Sequence, residues 1–155
     1  MRNGARPVLE LRCFGPLTIR LGERRVAHAA FQRKKALTLL ELLVLKAGNP
    51  VTRQALVECL WPGADEKAGV NRLHVVIHAL RSVIEPEREE RRWIFVRNQG
   101  EFYYFNMESP HEIDLYTFRR HAAAARRAEE CGRFVDAMAH LEDALALYRG
   151  DLFAD

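Results

Sequence analysis

Residues 65–86 read DEKAGVNRLHVVIHALRSVIEP. Leu73, Ile77, Leu80 and Ile84 recur there at intervals of four, three and four, which places them on one face of a helix. The stretch predicts an amphipathic α-helix of about 19 residues, roughly 28 Å long. At about 100° per residue, Asn71, Val75, His78 and Ser82 fall near the opposite side, flanked by Arg72 and Ala79. That outer side holds no carboxylate. It offers hydrogen-bonding groups, one small residue and a flanking positive charge, and a helix of this kind fits the roughly 12 Å major groove of B-DNA. An ordinary surface helix with a solvated back carries a similar pattern, so the neighbouring segments have to decide between the two.

Working backwards, residues 31–46 predict a helix. Gln32, Arg33, Lys34 and Lys35 open it, and 37–45 is apolar nearly all round, the pattern of a helix covered on most sides. Gly48-Asn49-Pro50 stops it. Thr52 is placed to cap a short helix over 53–61, with Leu56, Leu60 and Trp61 facing inward, and 62–65 is the loop into the long helix. Working forwards, the charged run EREERR at 87–92 reads as a solvated loop. Two β-rich runs, 93–96 and 102–105, then flank the polar, glycine-containing 97–101. This is a hairpin pattern, with Arg97 at its projecting part.

The two ends of the chain differ in kind. Residues 8–28 alternate apolar and polar and are broken by Gly15-Pro16 and by Gly22-Glu23, which predicts a three-stranded antiparallel meander. Towards the C-terminus, Asp114 is placed to cap a helix over 115–131, ended by Gly132. A second helix covers 134–148. Ala122, Ala125, Ala128, Ala137, Ala144 and Ala146 let the pair approach closely. Helix, short turn and helix over about 34 residues is the shape of a tetratricopeptide-like unit, which cannot bury its own apolar face alone.

Charge follows the same division. Residues 1–107 hold 18 Lys and Arg against 11 Asp and Glu, a balance of +7, and 108–155 hold 6 against 10, a balance of −4. Two units with different partners are implied. No apolar run approaches the roughly 20 residues of a membrane crossing, and the N-terminus lacks the apolar centre of a secretory signal. A cytoplasmic protein with no membrane partner is expected. Cys13, Cys59 and Cys131 are odd in number and have no metal or redox spacing; each sits in an apolar pattern and is expected as a small buried hydrophobe. His74 and His78 could form half a zinc site, but no ligand cluster in the sequence completes it, so no metal and no cofactor are expected. The two serines, Ser82 and Ser109, lie in no nucleophile motif. No catalytic residues are assigned, and an enzyme is not expected.

Several segments carry a resemblance in their order and spacing: LRCFGPLTIRLGERRV, RKKALTLLELLVLKAGNPVTRQALVECLW, AGVNRLHVVIHALRSVI, FVRNQGEFYYFN, IDLYTF and ALALYRGDLFAD. Over residues 9–155 the chain resembles an OmpR/PhoB-like winged helix followed by a bacterial transcriptional activator domain, the combination found in SARP-type regulators. The implied fold is α+β. A winged helix-turn-helix at 8–107 has an N-terminal three-stranded meander, three helices and a C-terminal hairpin wing. The start of an all-α, tetratricopeptide-like domain follows at 112–155.

The resemblance implies a transcriptional activator whose recognition helix, 66–84, enters the major groove of double-stranded DNA, with the wing on the adjacent minor groove or backbone. It places Asn71, Arg72, Val75 and His78 towards the bases and Arg81 on the same side, against the backbone. It also implies that Pro62, Gly63, Ala64 and Asp65 form a loop contacting RNA polymerase. Binding to repeated sites, as a homodimer on DNA, and further C-terminal domains in the natural protein are expected too. The sequence departs from many relatives at Ala79, where they carry arginine, and at Val76, where they often carry a polar group, leaving fewer side chains for bidentate contacts to guanine. Phosphate contacts are expected from Lys34, Lys35 and Arg53 at helix starts and from Arg97 on the wing. Five engaged cations would give a salt slope of about −4 to −5. The alternative is a protein-interaction module in which the winged helix is only a scaffold and binds no DNA.

Overall fold

The computed structural model describes residues 6–86 and 92–154. The chain divides into two compact units, one of Met1–Arg25 with Pro110–Asp155 and the other of Val26–Ser109.

In the first unit, β1 (Leu9–Arg12) pairs antiparallel with β2 (Thr18–Leu21), setting Leu9 opposite Leu21 and Leu11 opposite Ile19. These four side chains are buried, so the alternation legible in the sequence is an in–out alternation in the sheet. β3 (Arg24–Val26) follows the turn at Gly22, whose φ of +60° suits glycine.

The second unit opens with a 3₁₀ turn, His28–Ala30. α1 (Lys34–Lys46) then starts three residues later than the pattern predicts, because the 3₁₀ turn and an extended Arg33 use up the residues before it. α1 buries Ala36, Leu39, Leu40, Leu43 and Val44 but leaves Leu45 exposed. It is covered on one broad face, not nearly all round. The short β4 (Val51–Thr52) leads into α2 (Arg53–Leu60), and the Thr52 hydroxyl accepts the Ala55 N–H at 3.1 Å, as a cap should. α3 (Glu66–Ile84) is 19 residues long, and Leu73, Ile77, Leu80 and Ile84 are all buried. Gly69 is also buried; a Cβ there would overlap the Val57 side chain, so α2 and α3 cross at a distance only glycine permits.

β5 (Val96–Gln99) and β6 (Phe102–Phe105) form the hairpin, and β4 adds to its outer edge in the order β4-β6-β5. The first strand lies further along the chain than predicted, so Arg97 sits within β5 opposite Tyr104 and the tip falls at Gly100-Glu101. Of the charged run at 87–92, residues 87–91 lie outside the described residues.

The chain then returns to the first unit. β7 (His111–Ile113) pairs parallel with β1, so the meander is part of a four-stranded sheet of order β3-β2-β1-β7. β7 leaves no mark in the sequence, since its three residues lie apart from any other strand and are too few to show a period. α4 (Asp114–Glu130) and α5 (Phe134–Leu147) form the helical pair, turning at Gly132 with φ +72°. Asp114 is not the cap of α4. Ile113 occupies that position, and the Asp114 carboxylate instead accepts the Cys13 N–H at 2.7 Å. Ala125, Ala128, Ala137 and Ala144 are buried in the pair, whereas Ala146 is exposed. Cys13 is buried, but Cys59 and Cys131 are exposed, because each falls on the outer side of its helix end. Domain limits at 8–107 and 112–155 were expected; by contacts β1 and β2 group with the helical pair, through β7 and Asp114.

Candidate nucleic-acid interface

α3 is fixed by its apolar stripe, and this determines what its other side presents. Asn71, Arg72, His74, Val75 and His78 are exposed, Val75 to 46%. Ser82 is exposed too, but its hydroxyl donates to the His78 carbonyl at 2.7 Å and is used within the helix. The usable face is therefore the first two-thirds of α3. Asp65 closes the start of that helix by accepting the Ala68 N–H at 3.2 Å.

The start of α1 differs. Its N-cap, Arg33, makes no side-chain cap, so the first backbone N–H groups and the positive end of the helix dipole lie beside Arg33, Lys34 and Lys35. Among the described residues no ion pair engages these three or Arg72. Arg33, Lys34 and Lys35 line one open cleft together with Trp61, Asn71, Arg72, Val75 and Val76. The structure thus brings together five of the expected residues: Lys34, Lys35, Asn71, Arg72 and Val75. Arg33 and Trp61 were missed as site residues. The run RKK at 33–35 could have signalled the first; Trp61 read only as core.

Three expected cations are placed otherwise. Arg81 is a correction: it is 8% exposed, its Nε and Nη2 donate to the Val96 carbonyl at 3.1 and 2.8 Å, and Nη2 also donates to Asn98 Oδ1 at 3.1 Å. Its guanidinium lies 4.4 Å from the Trp93 ring centroid, a cation–π distance. A side chain held so tightly to the wing strand does not reach a phosphate. One turn later the buried Glu85 carboxylate accepts the backbone N–H groups of Ile94, Phe95 and Val96, the last two at 2.8 and 3.1 Å. Burial pushes the Glu85 carboxyl above its usual range, and the three N–H groups and Arg81 only partly offset this. Arg97 is half-buried, and its Nε donates to the Trp93 carbonyl at 2.7 Å. Arg53 pairs with Glu101 at 3.4 Å and lines a different cleft, with Glu58, Ala64, Glu66 and Glu101. That acidic cleft adjoins the 62–65 loop, in which Pro62, Gly63 and Asp65 are exposed and Ala64 is half-buried.

The family models match in the same order as these elements. "Transcriptional regulatory protein, C terminal" matches residues 31–103, and "Bacterial transcriptional activator domain" matches 113–155. The chain belongs to the regulators that join an OmpR/PhoB-type winged helix to a bacterial transcriptional activator domain. Its fold is that of a solved structure, Mycobacterium tuberculosis EmbR in complex with a low-affinity phosphopeptide, with a TM-score of 0.75 and 24% identity. The match covers 95% of this chain and 38% of the EmbR chain, so the present chain spans well under half of that protein. Comparison with curated protein sequences found no match. The families are transcriptional regulators, not enzymes, and among the described residues no helix is long and apolar enough to cross a membrane.

Proposed function

We propose that this chain is a sequence-specific, DNA-binding transcriptional activator of the cytoplasm whose α3 enters the major groove, with the β5–β6 wing beside the adjacent minor groove. The observation that carries this reading is the cleft shared by the start of α1 and the carboxylate-free face of α3. Arg33, Lys34 and Lys35, with the uncapped N-terminus of α1, supply phosphate contacts, which position the protein without reading sequence. Arg72 and Asn71 suit guanine and adenine edges, Val75 suits a thymine methyl, and His78 lies one turn further along. With Arg53, Arg81 and Arg97 otherwise engaged, the phosphate-contacting set is smaller than the sequence alone implies. Three cations give a salt slope near −3.

The 62–65 loop and the acidic cleft beside it form the surface offered to RNA polymerase. Binding of two copies to repeated sites, and domains beyond this segment, belong to the same proposal. Selection from random DNA duplexes tests it: an enriched motif is expected, bound at least ~10³-fold more tightly than unrelated duplex. Recovery of no motif, with affinity no tighter than ~10⁻⁵ M, would overturn it.

One observation favours the interaction-module reading for the helical unit. α5 exposes Phe134, Val135, Met138, Leu141 and Leu145, an apolar stripe of the kind that marks a protein contact.

A further inference from the structure

α4 and α5 run back along each other from the turn at Gly132, and small residues hold them close. On α5, His140 and Asp143 are three residues apart and share a face. On α4, His121 meets them: the two imidazole Nδ1 atoms are 3.3 Å apart and the ring centroids 5.6 Å. One ligand atom from each of His121, His140 and Asp143 lies within 4.8 Å of the other two. The two histidines are half-buried and the aspartate is exposed. Among the described residues this is the one trio of His, Cys, Asp or Glu so gathered, and none of the three lines the cleft at α3.

We propose that His121, His140 and Asp143 bind one zinc ion, with water in the fourth position. Two nitrogens at about 2.05 Å from a tetrahedral zinc, subtending about 109°, stand about 3.3 Å apart. The His121–His140 separation already has that value. In the same tetrahedral geometry a nitrogen and a carboxylate oxygen stand about 3.4 Å apart, so at the 4.8 Å limit the Asp143 carboxylate has to swing inward by up to about 1.5 Å. An exposed side chain does this by a rotamer change. Without metal, one Nδ1–H can donate to the other Nδ1. With zinc, both Nδ1 lone pairs point at the ion and the donor ring carries its proton on Nε2, so no net proton is released. The donor set of two nitrogens and one carboxylate suits zinc over magnesium or calcium. The ion would clip α4 to α5, independently of α3.

Zinc titration of the full 155-residue chain, in competition with a chromogenic chelator, tests this. Saturation at one equivalent is expected. Loss of a partner that merely orients a ligand costs about 10–100-fold, so His121→Ala and His140→Ala should each weaken binding more than ~100-fold. His74→Ala, which removes the exposed His74–His78 pair on α3, should leave the affinity unchanged. Absence of binding, binding that survives both His121→Ala and His140→Ala, or binding lost in His74→Ala overturns the proposal. Should either alanine variant fail to fold, cobalt substitution in the wild-type chain decides. Intense tetrahedral visible bands support the site, and the pale spectrum of six-coordinate cobalt overturns it.

Discussion

The two ends of α3 carry charge in opposite ways. Near its start, Asn71 and Arg72 face an open cleft alongside Arg33, Lys34 and Lys35. Near its end, Arg81 and Glu85 are buried where the chain enters the wing and hydrogen-bond to the backbone of residues 94–96, Arg81 also to the Asn98 side chain. The same helical period generates both ends. What differs is the neighbour: residues 94–96 cover one end, whereas the other lines an open cleft with the start of α1. A buried charge persists only when its hydrogen bonds are satisfied, and here the carbonyl of Val96 and the N–H groups of residues 94–96 satisfy them. The first end lines an open cleft; the second fixes the wing to the helix it flanks.

The largest effect that would break this division is on stability. Arg81→Ala leaves the Val96 carbonyl without its donors and removes the stack on Trp93; a loss of about 2–4 kcal/mol is expected in denaturant titration. Glu85→Ala strips three backbone N–H groups of their acceptor and should cost about as much. Arg72→Ala, on the open side, should change stability by less than ~0.5 kcal/mol. An Arg81→Ala protein with a wild-type unfolding midpoint but weakened DNA binding would reverse the assignment of the two ends.

Next in size is the effect on binding. If Arg72 reads a base, its replacement by alanine should weaken the preferred duplex by roughly 1–3 kcal/mol while changing unrelated duplexes little, as competition gel shifts would show. Lys34→Ala with Lys35→Ala should instead weaken all duplexes alike and flatten the salt slope by about 2. A slope unchanged by the lysine pair would mean that the cleft does not hold phosphate.

The helices and their inward faces were legible in the sequence because long periods repeat: Leu73, Ile77, Leu80 and Ile84 could face only one way, and all are buried. The cap at Thr52 was legible because side-chain capping is local. Arg81 was not, since its fate depends on a strand fifteen residues away; helical spacing alone put it beside the exposed face. Asp114 was misread for the same reason, being drawn from the cap position to the backbone of Cys13, 101 residues earlier. β4 and β7 were invisible because, unlike the equally short β3, they do not continue a neighbouring alternating run, and they exist only by pairing with the distant β6 and β1. In the cleft, Arg33 was passed over because capping preferences say nothing of an arginine in that place, although it stands at a helix start with no side-chain cap.

The smallest expected effect separates the two ends by pH. Burial raises the Glu85 carboxyl above its ordinary value of 4.5, so the folded chain takes up a proton at higher pH than the unfolded chain does. Between the two values the native state binds more protons, and this group's contribution to stability grows as pH falls. It is fully present below 4.5 and is lost as pH rises through the folded value. Glu85→Gln keeps an acceptor for the wing backbone but cannot titrate. The difference in unfolding midpoint between wild type and Glu85→Gln should therefore shift in favour of wild type on acidification from pH 7 towards 4.5. A difference that stays flat over that range would show that the helix-to-wing junction admits enough water to hold the carboxylate as the surface does, and the contrast between the two ends of α3 would then be one of hydrogen bonding alone.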